Sequence, residues 1–158
     1  MTRIAAVTPR EGWGRIGILP AAAMADLDAI RDWGAAAVVT LVEAEELQRL
    51  GLHALGDGVR ARGMDWLHWP IPDFGIPDAG FAAAWPSHAA ALRGVLEGGR
   101  NVLIHCRGGL GRSGMIAARL LVEFGADPAD AILRVREARS PHAIETTAQE
   151  EWVAARLR

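Results

Sequence analysis

The stretch His105-Cys106-Arg107-Gly108-Gly109-Leu110-Gly111-Arg112-Ser113 sets a nucleophile, a cation and three glycines side by side. Glycines at 108, 109 and 111 let the backbone curl so tightly that successive N–H groups, including that of Leu110, can converge on one oxyanion. Arg112 offers a planar fork matched to two oxygens of a phosphate. Cys106, the only cysteine in the chain, stands at the rim of this nest, where a helix N-terminus and a nearby cation favour the thiolate. A thiolate aimed at a bound oxyanion is a nucleophile. Taken singly, Cys106 reads as a small buried hydrophobe and Arg112 as a helix residue in a salt bridge. Those readings leave the glycines and the spacing unexplained. Arg107 adds positive potential at the mouth, or is a solvated loop side chain.

Chemistry of this kind needs a strand behind the cysteine and a helix ahead of it, and the flanking patterns supply both. Asn101–His105 is apolar and β-branched, and Ile116, Leu120 and Phe124 recur at helical spacing from Ser113 to Phe124, with Gly125 as the cap. An open α/β sheet places ligands at such a point, beyond the carboxyl end of a strand and at a helix N-terminus. Ala37–Val42 and Met64–Trp69 read as further strands, and Glu43–Leu50 as a short helix with an acidic first turn. The opening residues through Ile16–Leu19 are extended segments around a Pro9–Gly12 turn, and Met24, Leu27, Ile30 and Trp33 form one helical pattern ending at Gly34. His53–Gly63 matches no pattern.

Between the 64–69 strand and a helix over Phe81–Glu97 lies PIPDFGIPDAG, eleven residues with three prolines. That length and stiffness suit a binding or catalytic loop. Pro86 is expected to break the helix that follows. Asp127-Pro128 starts another helix, and Thr146-x-x-Gln149 opens the last with Trp152 and Val153 inward. Strands alternating with helices predict one α/β domain over residues 1–158, with a largely parallel central sheet flanked by helices.

Composition agrees with a folded domain. The 158 residues are 51% hydrophobic and 23% charged, which excludes disordered and collagen-like chains. Seventeen basic residues, all arginine, oppose nineteen acidic ones for a net charge of −2. No global field points to nucleic acid or an anionic membrane, so any anion site must be local. The N-terminal residues lack a signal-peptide apolar core, and no apolar stretch is long enough to span a bilayer. A single thiol fits a reducing compartment, and a cytoplasmic, monomeric protein is expected. His53, His68, His88 and His142 are scattered without ligand spacing, so neither a metal nor another cofactor is expected.

The His-Cys-x5-Arg-Ser pattern resembles the signature loop of the cysteine-based protein phosphatases, the protein tyrosine and dual-specificity enzymes. Gly14-Arg-Ile-Gly-Ile-Leu-Pro20, the Val38–Val42 strand with Glu46-Leu47, and Pro70-Ile-Pro-Asp73 look like the small branch typified by the cyclin-dependent kinase-associated phosphatase. The resemblance implies in-line attack by Cys106 on phosphorus and a phosphocysteine intermediate. It also implies an aspartate that protonates the leaving oxygen and later activates water, with no metal. Asp73 matches the family's acid, set after an apolar-Pro pair and ahead of another proline, with Asp78 as the competitor. Ser113 matches the hydroxyl that bonds the cysteine sulfur, and His105 the residue that orients the cysteine loop. Arg139-Ser-Pro-His-Ala-Ile-Glu145-Thr-Thr-Ala-Gln149 resembles the family's water-positioning loop, with Glu145 where many classical tyrosine phosphatases carry glutamine. Gln149 also reads as part of a capping box, a structural role.

The implied substrate is a phosphorylated protein, phosphotyrosine first and phosphoserine or phosphothreonine beside it. A phosphoinositide or other small phosphomonoester is the alternative. A phosphate-binding module without turnover is a third reading, though it needs neither nucleophile nor acid. Trp66, Trp69, Phe74 and Trp85 are candidate pocket walls, each expected in the core.

Overall fold

The computed structural model describes residues 3–156, so the outermost two residues at each end of the expected domain lie outside it. Five strands form one sheet in the order β1-β2-β5-β3-β4. They are β1 (Ala5–Val7), β2 (Ile16–Leu19), β3 (Ala35–Thr40), β4 (Asp65–His68) and β5 (Asn101–His105). Only β1 runs antiparallel to its neighbour; the other pairings are parallel. The sheet is therefore largely parallel, as the alternation of strands and helices predicts.

Parallel strands covered on both faces read as continuous apolar runs, and Val102, Leu103 and Ile104 of the central strand β5 are fully buried. Registers align the carboxyl ends of three strands: His105 pairs with Leu19 on one side and with Thr40 on the other. Whatever follows His105 thus starts from the centre of the sheet, at its carboxyl edge.

The helices are α1 (Leu27–Asp32), α2 (Ala44–Arg49), α3 (Leu55–Ala61), α4 (Ala79–Glu97), α5 (Gly111–Glu123), α6 (Pro128–Ala138) and α7 (Thr147–Ala154). Helix α5 packs on β2 and β5 and carries α6 and α7, while α1 lies on β3 and α3 on β4. Among the described residues no helix is long and apolar enough to cross a membrane.

The structure corrects four readings. The 24–33 pattern is two pieces, a 3₁₀ turn over Ala21–Ala25 and then α1, because Asp26 turns its carboxylate to the Ala29 amide and starts a new helix. Pro86 does not break α4; it sits exposed, where water can take the place of the missing amide bond. The unassigned 53–63 segment contains α3, whose glycines dilute its pattern. Gly56 is there for space, since a Cβ would lie 2.6 Å from the Trp66 ring. Phe74 is not core: it is 61% exposed.

Candidate active site

Cys106 leaves the end of β5 and α5 begins at Gly111, so residues 106–110 bridge strand and helix in one tight loop. The loop passes so close to the end of β2 that a Cβ at Gly109 would lie 2.8 Å from the Leu19 carbonyl carbon and the Pro20 nitrogen. Gly109 also has φ +70°, so glycine is required there on both counts. Its carbonyls are tied down. Arg107 O accepts from the Ala21 amide at 2.9 Å, and Arg139 donates from Nε to Gly109 O at 3.0 Å and from Nη2 to Gly108 O at 3.2 Å. A planar peptide points its N–H opposite its C=O. The amides of Gly108, Gly109 and Leu110 therefore face the other side of the loop, and none has a backbone partner. That is the electrostatics of an anion nest. Cys106 is buried, with Sγ 3.0 Å from Ser113 Oγ.

Arg112 projects from the first turn of α5 and is buried. Its outer edge is fully occupied: Nη1 donates to Glu46 Oε1 at 2.7 Å and to Ile71 O at 3.0 Å, and Nη2 to Glu46 Oε2 at 3.0 Å. Nη2 also lies 3.1 Å from Asp73 Oδ1. Nε has no partner, the one buried side-chain nitrogen or oxygen so placed among the described residues. A buried donor left bare costs about 1–3 kcal/mol, which a phosphate oxygen would recover. Burial pushes the Glu46 carboxyl up, yet the hydrogen bonds from Arg112 and the Glu43 amide, with the charges of Arg112 and Arg49, together hold the group below its ordinary range. Burial likewise lowers Arg112, and Glu46, then Cys106 and Asp73, more than reverse it. The guanidinium is a fixed positive charge.

The proline-rich loop after β4 is clamped at its root. Trp69 N donates to Thr40 O and Ile71 N to Leu41 O, both at 2.9 Å. The buried Trp69 ring stacks on His88 of α4 at 3.9 Å. A turn follows, closed by Gly75 N on Pro72 O at 2.8 Å, with Phe74 at φ +57°. Asp73 stands in that turn, its side chain 38% exposed and its Oδ1 accepting from the Phe74 amide at 3.0 Å. The turn is held from outside by Gln149, fully buried, whose Nε2 donates to Gly75 O at 3.1 Å while Oε1 accepts from Glu145 N at 2.8 Å. Asp78 is elsewhere employed: it caps α4, accepting from Phe81 N at 2.8 Å.

His105 is fully buried, and burial drives its pKa down to about 4 against a weaker opposing pull from the Cys106 carbonyl. Its Nε2 lies 2.7 Å from Thr40 Oγ1 and its Nδ1 3.2 Å from Cys106 O. Trp66 Nε1 donates to the same Thr40 oxygen at 2.8 Å. A neutral ring satisfies every partner in one arrangement: Nδ1–H donates to the Cys106 carbonyl and Nε2 accepts from the threonine hydroxyl. The chain Trp66–Thr40–His105 thus fixes the peptide that carries the cysteine.

The structure therefore brings His105, Cys106, Arg112, Ser113 and Asp73 to one place, with Gln149 behind the Asp73 loop. Arg107 is exposed at the rim, and Glu145 is exposed with its carboxylate over Gly111, at the N-terminus of α5. Glu46, Thr40 and Arg139 were not singled out as site residues from sequence, and Trp66 was named only as a candidate pocket wall. Thr40, Glu46 and Arg139 fall inside the segments that carry the family resemblance; Trp66 lies outside them, on its strand. Among the described residues no three His, Cys, Asp or Glu side chains are grouped to hold a metal ion.

Comparison with known proteins places this geometry. Residues 11–126 match a family model described as "Polymorphic toxin system, DSP-PTPase phosphatase". Cyclin-dependent kinase inhibitor 3 of Rattus norvegicus is 34% identical over 130 residues, covering 81% of this chain and 60% of that protein. The human protein of the same name is 32% identical over 130 residues, with the same coverage. This chain thus spans about 60% of the length of the curated relatives it matches. Two crystal structures align over nearly the whole chain. Tk-PTP in its active form gives a TM-score of 0.75 at 34% identity, covering 95% of this chain and 94% of that one. Kinase associated phosphatase, with serine in place of its catalytic-site cysteine, gives 0.81 at 26% identity, covering 96% of this chain and 91% of that one. Together with the cysteine loop at the carboxyl edge of the sheet, these matches establish that the chain belongs to the DSP-PTPase family of cysteine-dependent phosphatases, in its kinase-associated-phosphatase-like branch.

Proposed function

We propose that the protein hydrolyses phosphate monoesters through a covalent phosphocysteine, with phosphotyrosine in proteins as its main substrate and phosphoserine or phosphothreonine beside it. The observation that carries this reading is the bare, buried Nε of Arg112 next to the Cys106–Ser113 pair. A donor in that position has a use only when an oxyanion is bound.

In the first step the Cys106 thiolate attacks phosphorus and a P–S bond forms. The P–O bond to the leaving group breaks opposite it, and Asp73, in its acid form, gives that oxygen a proton. Arg112 and the loop amides take the charge on the three equatorial oxygens, which is where phosphoryl transfer gains most from a protein. In the second step Asp73 accepts a proton from water as the water attacks phosphorus. The P–S bond breaks, inorganic phosphate leaves, and the Ser113 hydroxyl donates to the departing sulfur. Gly108, Gly109, Leu110 and Gly111 provide the cradle, Arg107 its mouth, and His105 with Gln149 support it.

The test is release of para-nitrophenol from its phosphate ester with chelator present, in wild type and Cys106→Ser. Turnover in wild type and none in the serine variant is expected, with the variant still folded. Undiminished turnover in Cys106→Ser would end the covalent mechanism. A folded wild type inactive on aryl and natural phosphomonoesters would favour a phosphate-binding module.

A further inference from the structure

The amides of Gly108, Gly109 and Leu110 are each aimed by the carbonyl of the same peptide, and something holds each carbonyl from behind. In the peptide between Arg107 and Gly108 the holder is the Ala21 amide. In the next two, 108–109 and 109–110, it is Arg139 alone among the described residues: Nε donates to Gly109 O at 3.0 Å and Nη2 to Gly108 O at 3.2 Å. Because a peptide is planar, those two bonds turn the amides of Gly109 and Leu110 toward the anion. Nothing local does so. Glycines at 108 and 109 leave these peptides wide rotational freedom, and α5, which could order them, begins only at Gly111.

Arg139 works from a fixed base. It caps α6, with its backbone N–H on the carbonyl of the fully buried Val135 at 2.9 Å. The segment after it is also tied: Ile144 N donates to Leu110 O at 3.1 Å, and Arg136 donates to Ala143 O and Ile144 O at 2.8 and 3.0 Å. A cation at the C-terminal end of a helix ordinarily serves that helix's own carbonyls. The Arg139 guanidinium instead reaches carbonyls 30 and 31 residues upstream, and among the described residues it forms no ion pair. A rigid planar fork across two successive carbonyls fixes both peptides in one orientation, which a point charge with rotating donors does not specify. Its charge also polarises those peptides and strengthens their N–H donors.

We propose that Arg139 is a positioning residue of the phosphate loop, whose fork across Gly108 O and Gly109 O sets two of the three nest amides without touching a reacting atom. Its bearing on catalysis rests on the phosphatase reading above, which it deepens.

The probe is tungstate, an oxyanion that binds without turnover, titrated into the isotope-labelled chain while the amide signals of Gly108, Gly109 and Leu110 are followed. All three should shift in wild type. In Arg139→Met the tungstate dissociation constant should rise about ten- to hundred-fold, the worth of about one charge-assisted hydrogen bond. Gly109 and Leu110 should lose most of their response, while Gly108, held by Ala21, keeps its own. Arg139→Lys keeps the charge without the fork and should recover the affinity only in part; it carries the comparison where the methionine variant does not fold. Wild-type affinity in Arg139→Met would overturn the proposal. So would an equal loss at all three amides, the mark of a general loss of structure, or full recovery in Arg139→Lys. The kcat/KM of Arg139→Met should fall by one factor on aryl and alkyl phosphates alike, because Asp73 is untouched; a fall confined to poor leaving groups would also overturn it. Turnover of para-nitrophenyl phosphate by wild type reads the phosphatase proposal separately. A wild type that is inactive while its three amides answer tungstate would end that reading and leave the Arg139 assignment standing.

Discussion

Glu46 grips the outer edge of the Arg112 guanidinium with both carboxylate oxygens, at 2.7 and 3.0 Å, and so turns the bare Nε away from itself. The pair is buried, and a buried ion pair is weak evidence of stability because desolvation offsets most of the attraction. Its value here is orientation. Arg112 has few rotamers that keep two bonds to Glu46 and one to Ile71 O, and in the one observed Nε is left free.

Glu46→Gln tests this. The amide keeps one acceptor and loses one charged bond, so a loss of about 1–3 kcal/mol is expected. Part should appear as lower stability in denaturant titration. Part should appear as a roughly ten- to hundred-fold lower kcat/KM on aryl phosphate. Unchanged kcat/KM with full stability would show that Arg112 needs no partner to hold its place.

Asp73 and Asp78 separate by what each carboxylate touches. Asp73→Ala should lower turnover about 10²–10⁴-fold on an alkyl phosphate or another poor leaving group, and less on para-nitrophenyl phosphate. Asp78→Ala removes the cap of α4, costing about 1 kcal/mol of stability while leaving turnover nearly intact. The reverse pattern in the two rates would move the acid to Asp78.

Gln149 holds the Asp73 turn through Gly75 O, from a position with no exposure of its own. Gln149→Leu leaves that carbonyl and the Glu145 amide without their partner, and should free the turn. The expected signature is a greater fall in kcat on poor leaving groups than on aryl phosphate, because only the former lean on the acid. A uniform fall across leaving groups would assign Gln149 to stability alone.

His105 gives the fold a pH dependence whose sign follows from its burial. An unfolded histidine titrates near 6.5, while the folded one is drawn down to about 4. Between those values the unfolded chain takes a proton and the folded chain does not. Stability is therefore fully present above pH 6.5 and is lost as pH falls toward 4, by roughly 3 kcal/mol. His88, lowered by its own burial, adds in the same direction. Denaturant midpoints at pH 7 and pH 4.5 should differ far less in His105→Asn than in wild type. An equal drop in both would remove His105 from the account.

Residues 105–113 were legible in the sequence because their chemistry is contiguous. A strand, a glycine-rich bend and a helix start are local events, each written in a few neighbouring side chains. The same holds for the caps at Asp127 and Thr146, which answer to amides two or three residues on. Where a local pattern was ambiguous it misled: Asp26 divides what the apolar spacing joined, and Pro86 rides an exposed helix face.

Tertiary structure decided everything that rests on partners distant in sequence. Glu46 and Arg112 are 66 residues apart, Thr40 and His105 65, and Gly75 and Gln149 74. No residue type or spacing announces those pairs. They follow from strand register, which sets Thr40 beside His105, and from the packing that brings α2 and the proline-rich loop onto one buried guanidinium while Gln149 of α7 holds that loop. The different surroundings of Asp73 and Asp78 are of the same kind. Both are turn carboxylates in the sequence, and only the folded chain puts one 3.1 Å from Arg112 and the other on the end of a helix.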